Sequence, residues 1–263
     1  MISFFRYELK SSIKGLLIWS LSVGCLGLFC ILLFKSMEES IGDIAGSMAS
    51  MGAFSDAFGM STLSIATLKG YFATEIGTIH SLGIGLFAAS IATVVFSKEE
   101  DAHTAEYTFT LPLTRGKIIA SKVVSVLINL VLFTLITACL YVIGFFALGE
   151  KEIGAEFIKF MALQLVMGVE ISAFCLAISA INKKSKPGIG ICTAMLFYIY
   201  DLMARVVPKL KDVIFLSPFS YSNATTIFSN ESPDAKALIF GLTLTLLLGT
   251  FSSIYYAKKD LAS

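Results

Sequence analysis

The sequence predicts an all-α membrane protein that crosses a lipid bilayer six times. Apolar residues make up 56% of the chain and charged residues only 15%, and the mean hydropathy is +0.82. Soluble domains carry about 25% charged residues. Several apolar runs reach the ~20 residues that a helix needs to cross the hydrocarbon core. Basic residues collect between alternate runs, which is typical of the inner ends of membrane helices.

The six runs leave little chain for a soluble domain, so we expect one membrane domain over residues 1–263. The predicted spans cover residues 15–34, 77–96, 118–148, 157–181, 188–207 and 236–257. The second span is rich in small residues such as Gly83, Gly85 and Ala88. Because small residues let membrane helices approach closely, we expect this span at the centre of the bundle. The third is longer than the hydrocarbon core requires and should tilt or project from it.

Residues 1–14 mix aromatic and basic side chains ahead of the first span. This pattern predicts an interfacial helix on the inner leaflet, with its rings among the headgroups and its cations toward anionic lipid. The alternative is an ordinary basic flank of the first span. The long connections at residues 35–75 and 208–235 are then outer loops.

Orientation follows from the distribution of charge. With both termini inside, most of the 20 basic residues fall on the inner side, and the outer side carries more acidic than basic residues. Since basic residues favour the cytoplasmic side, we expect both termini to be cytoplasmic. Because six apolar spans are predicted, the lipid bilayer is also an expected partner of the chain.

Several function classes find no support in the sequence. A net charge of +1 gives no reason to expect a nucleic-acid partner. The five cysteines lie in apolar runs without CxxC spacing, and HExxH is absent, so no metal site is predicted. The nearest approach to a phosphate-binding loop, GFFALGEK at residues 144–151, has Glu150 where that motif requires lysine. No catalytic residues are predicted.

Two polar features lie within predicted spans and are candidates for a translocation path. Glu170 lies near the middle of the fourth span, where a charge costs roughly 2.5–3.5 kcal/mol on insertion scales. It could line a substrate path, or it could hydrogen-bond a neighbouring helix, for example through Asn129 in the third span. Asp201 and Arg205 are four residues apart in the fifth span and can form an intrahelical ion pair. That pair is either structural or part of the same path.

The stretch from Phe96 to Lys122 is the longest charged segment between two apolar runs. A helix is expected to end near Leu111, since the residue before Pro112 is pushed out of the α region. Such a helix could dock on a cytoplasmic partner, or it could be a solvated loop helix. In the docking hypothesis Pro112 stiffens the junction with the third span. The polar docking groups would be Glu99, Glu100, Asp101 and Glu106, and the apolar anchors Tyr107 and Phe109.

The same stretch resembles the first cytoplasmic loop of permeases in type-two ATP-binding-cassette (ABC) exporters. The matching residues are Lys98-Glu99-Glu100, Thr104-Ala105-Glu106, Leu111-Pro112-Leu113-Thr114-Arg115, Lys117-Ile118 and Lys122. The six-span plan and the long first and last outer loops are similar to that family over essentially the whole chain. One departure is Tyr107-Thr108-Phe109, where relatives commonly have a leucine-rich stretch.

The resemblance implies a non-catalytic permease in a bacterial cell membrane, with no cofactor on this chain. Two permeases, identical or paralogous, would pair with two copies of a separate ATPase that binds ATP and Mg²⁺. Substrate, for example an antimicrobial peptide, a lipid or an ion, would be exported by alternating access. The resemblance also implies a coupling helix over about residues 98–111 and an interfacial connecting helix over residues 2–14. The implied ATPase interface comprises Lys98, Glu99, Glu100, Thr104, Glu106, Tyr107, Phe109, Pro112 and Arg115.

Two other function classes remain open on the sequence. One is an ATP-independent secondary transporter with Glu170 as its proton site, although we find no convincing internal repeat of the kind common in that class. The other is a membrane scaffold or sensor partner that transports nothing.

Overall fold

A computed structural model of the chain describes residues 2–60, 62–106, 112–150 and 154–259, apart from the side chains of residues 2, 39 and 43. Ten α-helices lie within these residues, and no strand does. Six of the helical segments are long and apolar enough to cross a membrane. Each overlaps one of the six predicted spans, so the predicted all-α membrane fold is confirmed.

The α-helices are numbered in chain order, and the six membrane-length segments contain α1, α3 with α4, α6, α7, α8 and α10. A π-helical turn at Phe72–Ile76 joins α3 to α4, and a 3₁₀ segment at Pro208–Leu216 follows α8. The helices are α1 (Ile2–Ala49), α2 (Ala53–Phe58), α3 (Leu68–Tyr71), α4 (Gly77–Val94), α5 (Lys98–Asp101), α6 (Arg115–Ala147), α7 (Ala155–Ile181), α8 (Pro187–Val206), α9 (Ala224–Phe228) and α10 (Ala235–Lys258).

Helix α1 differs from the prediction at both ends. It runs without interruption from Ile2 to Ala49, so a separate interfacial helix over residues 1–14 is not what the structure contains. No proline precedes Pro112, and nothing in this stretch therefore forces the backbone to break. The helix also continues well past the predicted end of the first span at Phe34.

Helices α1 and α6 pack in parallel along most of their length. Glu8 meets Lys122, Ser12 meets Asn129, and farther along the pair Gly27 lies against Tyr141. A Cβ on Gly27 would lie 2.3 Å from the Tyr141 ring, so this crossing requires glycine. Together these contacts hold α1 against α6 from its first turns to its middle.

Helix α4 is the central element of the bundle, as its small residues predicted. Of the most apolar part of the membrane-length segment Leu68–Val94, which contains α4, 67% is buried inside the protein, against 17% for α10. Ala88, Ala89 and Ala92 of α4 are fully buried, and α4 packs against α7 and α8. The face of α10 that includes Ile239, Leu246 and Leu247 is exposed and suits contact with lipid.

The two ends of the bundle differ in what holds them together. At one end, aromatic rings of α6, α7 and α9 surround Phe72, which lies edge-on to Tyr141, Phe157 and Phe160. The other end brings together the first turns of α1, helix α5, the first turn of α6, residue 182 and the end of α10. We call the former the loop end and the latter the terminal end.

Candidate functional site

The terminal end contains a buried network of charged side chains. At its centre is Lys122, whose side chain is fully buried (0% exposed). Its ammonium lies 3.3 Å from Glu8 Oε1, forms an ion pair with Glu99, and donates to the Val95 carbonyl oxygen at 2.7 Å. Glu8 also pairs with Lys98. We call Glu8, Lys98, Glu99 and Lys122 the ion cluster.

A second set of contacts joins the same segment to the end of the chain. Glu100 is buried, and its Oε1 lies 3.0 Å from the ammonium of Lys259. Arg115 Nη1 donates to the Ala257 carbonyl oxygen at 2.9 Å. The rings of Phe96 and Tyr256 stack with their centroids 4.5 Å apart. Helix α5 is therefore fixed to α1, to α6 and to the end of the chain beyond α10, and the first turn of α6 is fixed to the end of α10.

These contacts correct the predicted roles of Glu99 and Glu100. Both were expected to present carboxylates to a docking partner, but they are only 6% and 5% exposed. They point into the protein because Lys122 and Lys259 neutralise them there. The attraction of an ammonium partner offsets part of the cost of desolvating a buried carboxylate, whereas an unpaired carboxylate would bear that cost in full.

The prediction of one continuous helix over residues 98–111 is also wrong, because the helix is interrupted after Asp101. Helix α5 ends at Asp101, and His103 adopts a left-handed backbone conformation with φ of 53°. Helical conformation resumes at Ala105 and Glu106, and Tyr107 and Phe109 lie outside the described residues. The side chains of Asp101, His103, Thr104, Glu106, Pro112 and Arg115 are exposed, and they form the outer surface of this end.

Glu170 contacts residues that are distant from it in sequence, Tyr221 and Gly241. Its Oε2 accepts a hydrogen bond of 2.9 Å from the Tyr221 hydroxyl, and both side chains are 2% exposed. Burial raises the pKa of the Tyr221 hydroxyl, which therefore stays protonated and keeps donating. A Cβ on Gly241 would lie 2.3 Å from Glu170 Oε2, so glycine lets α10 cross this carboxylate.

Asn129 is not the partner of Glu170. Its amide nitrogen donates to Ser12 Oγ at 2.9 Å and to the Ser125 carbonyl oxygen at 2.7 Å, at the α1–α6 contact. The alternative in which Glu170 hydrogen-bonds Asn129 is therefore not the arrangement in the structure, because the Asn129 side chain is bonded to Ser12 of α1.

The intrahelical ion pair between Asp201 and Arg205 is confirmed. Asp201 Oδ2 lies 2.7 Å from Arg205 Nε and 2.6 Å from Nη2, and Asp201 is buried. The pair lines a cavity of about 30 Å³ at the loop end together with Tyr198 and Asn223. Among the four candidate path residues, Asp201 and Arg205 are the two whose mutual contact the structure describes. Glu170 and Asn129 lie in different surroundings.

Sequence reasoning missed Glu8, Lys122, Lys259 and Tyr221 as members of these sites. For Lys122 a signal was present, since it is the only charged residue between Ile118 and Leu148. A single cation in an apolar run needs a buried anion or water, and this requirement could have directed attention to Glu8 and Glu99. For Tyr221 we find no such signal, because its pairing with Glu170 depends on how the 208–234 connection folds back.

The hydrogen bond between Tyr221 and Glu170 gives a testable prediction. Replacing Tyr221 with phenylalanine leaves a buried carboxylate oxygen without its donor, which should cost about 1–3 kcal/mol of stability. Thermal unfolding of the purified chain in detergent measures this loss. Tyr255→Phe is the matched control, since Tyr255 is 40% exposed. Equal melting temperatures of the two variants would show that the hydrogen bond between Tyr221 and Glu170 does not stabilise the protein.

Comparison with known proteins identifies the family. The model of the family described as ABC-2 family transporter protein matches residues 2–261, which is nearly the whole chain. Among curated proteins, none matches this chain. The six membrane-length helices agree with a multi-pass membrane protein of this family. The chain therefore belongs to the ABC-2 family of transporter proteins and is a membrane permease of an ABC transporter.

Proposed function

We propose that this permease couples ATP hydrolysis on a separate ATPase chain to the export of a substrate by alternating access. Two permease chains, identical or paralogous, would assemble with two ATPase chains that hold ATP and Mg²⁺. The terminal end would be cytoplasmic, as the distribution of basic residues favours. The observation that supports the proposal most is the ion cluster, which fixes a short polar segment rigidly to membrane helices.

The exposed surface next to the ion cluster supplies the docking groups in this proposal. Asp101 and Glu106 present carboxylates there, and neither is among the buried acids that pair with lysine. Pro112 and Arg115 lie at the junction with α6, where Arg115 holds the last turn of α10. A partner that binds this surface would therefore act on α6 and α10 directly.

The ion cluster provides the route by which a movement would reach the membrane. Lys122 on α6 contacts both Glu8 on α1 and Glu99 on α5, so the three elements cannot separate without exposing buried charge. The cost of separating a buried pair is several kcal/mol. A displacement of α5 is then transmitted to α1 and α6 as a rigid unit. Helices α4 and α8 would reshape the path between the two permeases.

In this proposal the energy for transport comes from the difference in ATP affinity between two conformations of the complex. ATP can drive the permease outward only if the ATPase binds it more tightly in the outward-facing state. A shift from 1:99 to 99:1 requires about 5.5 kcal/mol of differential binding. The permease contributes a docking surface and a rigid connection, and it needs no nucleotide site of its own.

Docking is tested by reversing charge on the exposed surface. Asp101→Arg and Glu106→Arg should each weaken association with the co-expressed ATPase about ten-fold, equivalent to ~1.4 kcal/mol, as measured by co-purification from the membrane. Glu231→Arg is the control, because Glu231 is an exposed carboxylate at the loop end. Glu100→Arg would not serve, since it breaks the contact with Lys259. Wild-type association of both docking variants would refute docking at this surface.

Glu170 separates the proposal from a proton-driven transporter. Glu170→Gln removes the titratable proton but keeps an oxygen that can accept from Tyr221. In an ATP-driven exporter with a structural Glu170, this variant should export substrate at close to the wild-type rate. Loss of export with an assembled, ATP-hydrolysing complex would instead favour a proton site at Glu170.

A further inference from the structure

A groove opens between α1, α4 and α6 near the terminal end of the bundle. Its volume is about 350 Å³. It lies on the membrane side of the ion cluster, whose Glu8 and Lys98 are among its lining residues. Of the predicted docking residues that the structure describes, Lys98 alone lines it. Helix α1 forms one rim with Tyr7, Ser11 and Gly15, and α4 forms the other with Ile91 and Val94.

One part of the groove is polar. Ser11 and Ser12 contribute hydroxyls, and Ser12 is hydrogen-bonded to Asn129 across the α1–α6 contact. The Lys98 side chain is 27% exposed, and its ammonium lies 6.0 Å from the centroid of the Tyr7 ring and 3.5 Å from Ser11 Oγ. An ammonium has three donor hydrogens. The pair with Glu8 and the hydrogen bond to Ser11 therefore leave Lys98 one hydrogen to donate to a ligand in the groove.

The remaining part of the groove is apolar and open. Ile91 and Val94 of α4 and Val126 of α6 form its wall. No atom lies within 4 Å of the position that a Cβ on Gly15 would occupy. The apolar run of α1 starts at Gly15, so the polar part of the groove lies at headgroup depth and the apolar part beside the first acyl carbons.

The charge around the groove favours an anion. Within the ion cluster the two glutamates offset the two lysines. The excess positive charge comes from exposed basic residues on the first turns of α1, at four-residue spacing: Arg6, Lys10 and Lys14. Residues four apart share a helix face, so these three form a basic stripe beside the Tyr7–Ser11 rim. Such a stripe attracts anionic lipid headgroups by ~1 kcal/mol per cation.

We propose that this groove binds one anionic glycerophospholipid. The headgroup phosphate lies between Lys98 and the basic stripe, the ester region meets the hydroxyls of Ser11 and Ser12, and an acyl chain lies along Ile91 and Val94. A bound lipid thereby fills the gap between α1 and α4 next to the ion cluster. This inference depends on the groove and on membrane embedding, and it holds whether or not the ATPase docks where we propose.

Trp19 allows a direct test, because it is the only tryptophan and lies on α1 one turn beyond Gly15. The full-length chain is reconstituted in bilayers with brominated phosphatidylcholine or brominated phosphatidylglycerol, whose bromines quench tryptophan. We expect the binding constant of brominated phosphatidylglycerol to be about five-fold higher than that of brominated phosphatidylcholine. This is the ratio that corresponds to ~1 kcal/mol of attraction from one cation.

Two glycine variants of α1 separate the groove from general attraction to the protein surface. Gly15→Leu fills the groove without changing charge, and the ratio of the two binding constants should fall to about one. Gly42→Leu is the matched control, since Gly42 is also in α1 with nothing within 4 Å of its Cβ position. It should keep the wild-type ratio. Taking the ratio of the two lipids removes any shielding of Trp19 by the new leucine.

Three outcomes would overturn the proposal. A wild-type ratio near one would mean that no anionic lipid is selected. A Gly15→Leu variant that keeps the preference would place the anionic lipid in the surrounding annulus. Displacement of brominated phosphatidylglycerol by sodium phosphate in solution would indicate a site for free phosphate. A preference lost in Gly15→Leu, kept in Gly42→Leu and insensitive to free phosphate supports the lipid site.

Discussion

Replacing Lys122 with methionine is expected to lower the apparent melting temperature of the purified chain by roughly 10 °C. Methionine fills most of the space of the lysine stem, so little packing is lost. The ammonium, however, is the ion-pair partner of Glu99 and one of two partners of Glu8. Removing one member of a buried ion pair typically costs 3–5 kcal/mol, because the other charge stays buried and uncompensated.

The chain provides a close control for this experiment. Lys117 lies five residues earlier on α6 and is exposed, so Lys117→Met removes the same charge from the same helix without orphaning a carboxylate. It should melt like the wild type. If Lys122→Met melts together with this control, the ion cluster does not stabilise the terminal end.

A double variant measures the coupling directly. Glu99→Gln removes the charge that Lys122→Met leaves unpaired, while Glu8 keeps its contact with Lys98. The double variant should therefore melt above Lys122→Met alone. The difference, taken as a double-mutant cycle, isolates the interaction between the two side chains. Additive losses would show that Lys122 and Glu99 act independently.

The fold was largely predictable because its main signal is composition. A run of about 20 apolar residues has few alternatives to a membrane helix, and each of the six predicted spans matches an observed one. The errors concern where helices end. Nothing in residues 1–50 breaks a helix strongly, so α1 continues across both predicted boundaries. Helix α5 ends at Asp101 although no proline or glycine lies near it, so nothing in the local sequence marks that end.

The candidate site was less predictable, for a related reason. The acidic run at residues 99–101 indicated a polar surface, but two of its three carboxylates are inside the protein. Their direction is decided by Lys122 and Lys259, which are 23 and 159 residues away in the chain from Glu99 and Glu100 respectively. The same holds for Glu170, whose donor Tyr221 lies 51 residues away. Composition identifies such groups as costly, but the fold decides which partner offsets the cost.

The close packing of α4 against α8 can be tested by adding one Cβ atom, at Gly190. The buried residues of α8 are Gly190, Ala194, Asp201 and Ala204. Three of the four are small, which allows close approach to α4. At Gly190 a Cβ would lie 1.9 Å from Thr93 Oγ1 and 2.6 Å from the Ala89 carbonyl oxygen. The hydroxyl can rotate away, but the carbonyl oxygen belongs to the backbone of α4 and cannot.

Gly190→Ala is therefore expected to force α4 and α8 apart. The cost should be at least the ~1–3 kcal/mol that is typical of overpacking, and it should appear as a lower melting temperature of the purified chain. Gly188→Ala is the control on the same helix, since no atom lies within 4 Å of its Cβ position. Alanine favours helix over glycine by roughly 0.5–1 kcal/mol, so the control should melt at or above the wild type.

A second substitution shows which atom is responsible for the loss. Thr93→Ala combined with Gly190→Ala removes the hydroxyl contact but leaves the Ala89 carbonyl oxygen in place, so it should recover only part of the lost stability. Full recovery would mean that the Thr93 side chain alone limits the approach of the two helices. Unchanged melting of Gly190→Ala itself would show that α4 and α8 already have room to separate. In that case the contact between α4 and α8 would not be rigid. It could not limit the movement of these two helices in the proposed transport cycle.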